Sequence, residues 1–162
     1  MTLVIRPARA ADADALWAIL EPTIRAGETY ALAADMGRDD ALAYWLGGDR
    51  ETFVAEADGE AVGTYFLRAN QAGGGAHVAN GGYMTAPWAA GRGVARAMCA
   101  HSLDRARDRG FRAMQFNFVV ASNARAVRLW RHLGFAEVGR LPLAFRRPDG
   151  EYVDALVMYR AL

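Results

Sequence analysis

The sequence contains no lysine; all 19 basic residues outside the three histidines are arginines. Nor does either sign of charge dominate, because 18 acidic residues leave a formal net charge of +1. Such a chain projects no long-range field, which argues against nucleic acid or an anionic membrane as its partner. A single cysteine, Cys99, excludes an intrachain disulfide and any cysteine-based metal motif, and no metal is expected. That scarcity suits a reducing compartment. The opening Met-Thr-Leu-Val-Ile-Arg-Pro lacks the apolar core of a secretion signal, so a cytoplasmic location is expected. No apolar run approaches the roughly 20 residues of a membrane-spanning helix.

What is present suits one domain, residues 1–162, large enough to bury a core without staples. Leu3 to Ile5 reads as a short strand. From Asp12 to Ile24, Ala15, Leu16, Ile19 and Leu20 recur at helical spacing, with Pro22 disturbing the end and Gly27 closing it. A second helix fits Arg38 to Leu46. The period then changes: Glu51 to Glu56 and Ala61 to Leu67 alternate as strands around the turn Asp58-Gly59. His77 to Thr85 reads as a strand, Gly91 to Arg109 as a long helix, Phe111 to Val120 as a strand and Asn123 to His132 as a short helix. Two final strands, to about Phe145 and from Tyr152 to Tyr159, form an antiparallel pair around Pro148-Asp149-Gly150. Only the middle follows strand-helix-strand-helix-strand order. The expected architecture is α/β with a mixed, largely antiparallel sheet of six or seven strands and helices on both faces.

The most informative stretch is Tyr83-Met84-Thr85-Ala86-Pro87-Trp88-Ala89-Ala90-Gly91-Arg92-Gly93-Val94-Ala95. A strand ends there, and two glycines open a long helix. Glycines let a ligand approach the backbone, and the helix N-terminus presents N–H groups and a positive dipole end, a combination suited to phosphate. Arg92 adds a charge-assisted contact in this reading. A Walker loop is excluded, since Val94-Ala95 stands where Lys-Ser/Thr is needed. The dinucleotide fingerprint is excluded by spacing and by its mid-chain position.

This stretch resembles the coenzyme A pyrophosphate loop of the GNAT N-acetyltransferase superfamily, Arg/Gln-x-x-Gly-x-Gly/Ala, with Ala90 in place of the leading Arg/Gln. Asn123 to Phe135 is similar to the superfamily's downstream Asn-x-x-Ala-x-x-Leu-Tyr-x-x-x-Gly-Phe, with Trp130 at the tyrosine's place. Two motifs in the right order are more specific than either alone. The resemblance implies an acyl-CoA N-acyltransferase fold, acetyl-coenzyme A as cofactor and transfer of its acetyl group to an amine. It further implies cofactor contacts from Tyr83, Thr85, Gly91, Arg92, Gly93, Val94, Ala95 and Asn123, the last of which also reads simply as a helix N-cap.

Acetyl transfer needs a polarised thioester carbonyl, a deprotonated amine and a tolerated thiolate. The resemblance puts carbonyl polarisation on the backbone at Tyr83 and Met84. An indole is no practical acid, so Trp130 is expected to border the acceptor pocket rather than protonate the thiolate. Glu28, in the loop between the first two helices, is a candidate to hold or relay the ammonium proton, or else a solvated carboxylate. Asn80 and Asn117 need hydrogen-bond partners, which strand-to-strand bridging or an acceptor would supply. The segments around these two asparagines also resemble fungal enzymes that acetylate proline analogues, implying a small amino-acid-like acceptor. The expected partners are thus acetyl-coenzyme A and a small amine, with self-association into a homodimer as a further expectation.

Overall fold

The computed structural model describes residues Met1–Leu162. Seven strands form one sheet: β1 (Leu3–Pro7), β2 (Glu51–Ala57), β3 (Glu60–Ala69), β4 (Val78–Thr85), β5 (Ala113–Val120), β6 (Ala136–Arg146) and β7 (Tyr152–Ala161). Their spatial order is β1-β2-β3-β4-β5-β7-β6. Every neighbouring pair is antiparallel except β4 and β5, which the crossover helix makes parallel. The four helices are α1 (Ala13–Ala26), α2 (Arg38–Leu46), α3 (Val94–Asp108) and α4 (Ala124–His132). None is long and apolar enough to cross a membrane. The mixed, mostly antiparallel sheet expected from the sequence is therefore present.

Period-two alternation along β3 gives each face of the sheet its own helix. Tyr65 points toward α3, where its hydroxyl meets His101 Nδ1 at 2.7 Å. Gly63 lies on the same face, and a Cβ there would stand 2.8 Å from Val94 Cγ1 and 2.9 Å from Met98 Sδ. The missing side chain lets the first turns of α3 settle directly onto the strand. Thr64 and Phe66 point the other way, toward α2, and the Phe66 ring lies 4.9 Å from that of Trp45, centroid to centroid. One hydrophobic cluster of 33 buried residues includes residues from both sides.

Thr64 ties this second face together. It is fully buried; its hydroxyl donates to Phe53 O at 2.7 Å and accepts from Trp45 Nε1 at 2.9 Å. Thr64→Val keeps the shape but strands the indole N–H and removes the donor to Phe53 O. The expected loss is about 2 kcal/mol of unfolding free energy. Urea titration should show a lower midpoint at unchanged slope; an unaltered midpoint would mean that the hydroxyl contributes nothing net.

Helix α1 stops where its sequence reads, and one strand boundary is corrected. Helix α1 runs through Pro22 to Ala26, so proline costs it one ladder bond without ending it. The stop is Gly27, at φ 63°, whose N–H returns to Thr23 O. At the other site, β4 begins at Val78, leaving His77 exposed in the preceding turn.

Candidate active site

β4 and β5 pair at only two positions, Val78 with Ala113 and Ala79 with Met114. Beyond them the strands diverge. On β5 the pairing with β7 also breaks between Phe116 and Val119, where Asn117 and Phe118 bulge. The divergence opens a cleft of about 800 Å³. Its walls are the facing sides of the two strands, the loop after α1, and the starts of α3 and α4.

One end of the cleft is the glycine corner. Gly91 and Gly93 have φ of 77° and 79°, the left-handed region that side chains other than glycine's rarely adopt. A Cβ on Gly93 would meet nothing within 4 Å, and one on Gly91 only Arg125 Nη2 at 3.6 Å. The first bond of the α3 ladder runs from Ala97 N–H to Gly93 O. The N–H groups of Gly91, Gly93, Val94, Ala95 and Arg96 thus have no acceptor in the chain. Arg96 and Arg125 line this end, whereas Arg92 is exposed and lies off the cleft wall. Free N–H groups, a helix dipole and two guanidiniums fit phosphate oxygens. The charges on the cleft wall at this end are thus those of Arg96 and Arg125 rather than Arg92.

The middle of the cleft holds the end of β4. Thr85 and Met84 line it, Met84 being buried. Tyr83 does not offer a free backbone. Its N–H donates to the hydroxyl of Tyr30 and its C=O accepts from that same hydroxyl, each at 2.8 Å. Tyr30 comes from the loop after α1, and burial pushes its phenol well above the ordinary tyrosine pKa. The polar group presented here is therefore the Tyr30 hydroxyl, a residue that sequence reasoning missed; no spacing links it to β4. The Tyr83 side chain is a core group, stacked on Tyr65 and paired with Ser102 Oγ at 2.6 Å. Trp130 is buried against Tyr83 and Phe116, lines the cleft and makes no hydrogen bond through its indole.

Asn80 and Asn117 do converge, through a third amide that the sequence did not single out. Asn70 Oδ1 accepts from Asn117 Nδ2 at 2.7 Å and from Asn80 Nδ2 at 3.2 Å, and Gln115 Nε2 donates to Asn117 Oδ1 at 2.9 Å. The cluster bridges the strands just where they part. Asn117 is exposed at the bulge rather than enclosed in a core. Asn123 caps α4, its Oδ1 accepting from Ala126 N–H, and it also lines the cleft.

Glu28 is not brought in. It is exposed, makes no hydrogen bond or ion pair, and lies off the cleft, although Thr29 and Tyr30 beside it line the wall. No aspartate, glutamate or histidine lines the cleft, whereas four arginines do: Arg50, Arg68, Arg96 and Arg125.

Comparison with known proteins agrees with this geometry. The acetyltransferase (GNAT) family profile matches residues 14–135. A GCN5-related N-acetyltransferase from Kribbella flavida is 42% identical, with a TM-score of 0.93 over 99% of this chain and 98% of that one. N-acetyltransferase aca1 of Schizosaccharomyces pombe is 27% identical over 151 residues, which cover 83% of this chain and 72% of the relative. The fold is also shared with a GNAT superfamily phosphinothricin acetyltransferase from Sinorhizobium meliloti, solved in complex with AcCoA, at 22% identity and a TM-score of 0.87 over 100% of this chain and 89% of that one. The chain belongs to the acetyltransferase (GNAT) family.

Proposed function

We propose that this member of the family transfers the acetyl group of acetyl-coenzyme A to the amine of a small, amino-acid-like acceptor in the cytoplasm. The observation that carries the reading is the row of free N–H groups at Gly91 to Arg96, set at the mouth of the β4–β5 cleft. Those groups, with Arg96 and Arg125, suit the pyrophosphate. Asn123 and the backbone of Thr85, along the divergent strands, would hold the thiol arm, with Tyr30 at the acetyl end of the cleft.

Acetyl-coenzyme A supplies an activated thioester; the remaining requirements fall on the chain and on solvent. The amine nitrogen bonds to the acetyl carbon as the carbon–sulfur bond breaks. The amine's surplus proton goes to water, since no carboxylate or imidazole lines the cleft. The departing thiolate takes its proton from solvent, because Trp130 stands where the family has tyrosine and an indole N–H does not titrate usefully. Opposite the acetyl group, the Asn70–Asn80–Asn117 cluster offers amide donors and acceptors to a small polar acceptor.

A thiol-release assay over a panel of amines, with the acetylated product weighed by mass spectrometry, tests the reading. Cys99 does not interfere, because burial pushes its thiol up to about 12. Asn80→Ala and Asn117→Ala should each raise the acceptor's KM about 5- to 20-fold while leaving acetyl-coenzyme A binding unchanged. Donor binding without turnover of any amine would leave a non-catalytic acyl-coenzyme A module. Absence of donor binding would remove the reading altogether.

A further inference from the structure

Arg50, which connects α2 to β2, is the one cleft arginine whose surroundings are built and yet incomplete. It lines the cleft, and its guanidinium sits 4.6 Å from the Tyr44 ring centroid and 4.9 Å from that of Phe66. Those two rings meet edge-on at 89°. Phe66 is itself placed by a bare strand: a Cβ on Gly82 would stand 2.7 Å from its ring. So Gly82 is empty in order that Phe66 can lie across β4 and support the guanidinium. Aromatic faces stabilise a cation without neutralising it.

The charge has no counter-ion. Arg50 makes no salt bridge and no side-chain hydrogen bond, and its Nε is buried with no acceptor at all. The adjoining carboxylate, Asp49, lies toward Arg68 instead, 3.5 Å from its Nε. Ten of the other arginines, Arg6, Arg38, Arg105 and Arg140 among them, have a carboxylate within 4.0 Å; of those that do not, Arg50 alone carries a buried nitrogen with no partner. A partly buried guanidinium with an orphaned N–H is costly unless something completes it. The other cationic end, Arg96 and Arg125, belongs to the glycine corner and is reserved for the donor's phosphates.

We propose that Arg50 binds a carboxylate carried by the acceptor, so that the substrate class is small amino acids rather than simple amines. This rests on the reading of the cleft as an acetyl-transfer site, and it adds the group that recognises the acceptor's charge. A carboxylate in the cleft, set against the guanidinium's terminal nitrogens, supplies the missing counter-charge; Nε–H itself stays covered by the protein. The amine of the same small molecule is left to face the Asn70–Asn80–Asn117 cluster, which carries no charge and accepts a neutral nitrogen.

The test pairs each α-amino acid in the panel with its carboxamide and with the amine lacking the carboxyl group. With kcat/KM expressed per deprotonated amine, wild-type protein should prefer the carboxylate by about 10- to 100-fold, and Arg50→Gln should abolish that preference while its use of carboxamides stays within about threefold. A second readout does not need turnover. The Nε–H resonance of Arg50, identified by its loss in Arg50→Gln, should shift on titration with the best amino acid and not with its carboxamide. Equal use of carboxylate and carboxamide by the wild type, or a preference that survives in Arg50→Gln, overturns the assignment while leaving acetyl transfer intact. Absence of acetylation across the whole panel would instead sink the functional reading, and an unmoved Nε–H resonance would then take the carboxylate site with it.

Discussion

Gly93→Val should weaken acetyl-coenzyme A binding by about 100-fold or more, and Arg92→Ala by less than about threefold. Two separate costs fall on the valine. Its backbone must hold φ near 79°, where a β-branched residue is strained by roughly 1–3 kcal/mol. Its methyl groups would also enter open space, since nothing of the protein lies within 4 Å of that Cβ. In the proposed complex that space is where the phosphates meet the free N–H groups at the start of α3. Arg92, by contrast, is exposed and off the cleft, so its charge is screened by salt. Calorimetric titration of both variants checks the order, with circular dichroism melts confirming that each is folded. A larger loss in Arg92→Ala than in Gly93→Val would reverse the division between backbone and side-chain recognition.

The second large effect is on pH. Because no aspartate, glutamate or histidine lines the cleft, no group of the enzyme stands ready to take the amine's proton. Only the fraction of acceptor already deprotonated reacts. The acceptor kcat/KM should therefore rise about tenfold per pH unit, from pH 6 up to the amine's own pKa, with no earlier plateau. Across three units the gain is about 1000-fold. Tyr30 and Tyr83 do not alter the slope, since burial raises both phenols and keeps them neutral throughout. Glu28→Gln should leave the whole profile within about twofold. A plateau that begins below the amine's pKa would reveal a base, and its disappearance in Glu28→Gln would restore that residue to the site.

Much of the frame was legible along the chain because it rests on local periodicity. Helix α2 falls where the spacing of Leu42 and Trp45 puts it, and β2 and β3 flank the Asp58-Gly59 turn as the alternation requires. The glycine corner was legible for a related reason: a left-handed backbone at a helix start is a local need that glycine meets. Pro22 disturbs α1 without ending it, because its effect depends on what else holds the helix. Four of that helix's residues, Leu16, Ile19, Leu20 and Ile24, are buried, and their packing outweighs one missing bond.

The site divides along the same line. Sequence alone determined the class of fold, the loop suited to phosphate and the family likeness, since each is written in contiguous residues whose spacing is itself the signal. Tertiary structure decided the rest. It inserted β7 between β5 and β6, and it parted β4 from β5 after two paired residues to make the cleft. It brought Tyr30 to Tyr83 across 53 positions and Asn70 to Asn117 across 47. It also turned Glu28 and Arg92 outward and left Arg50 without a counter-ion. A side chain's direction and its partners depend on which distant segment packs beside it. No periodicity within one segment records that choice, which the packing of both sheet faces makes for the chain as a whole.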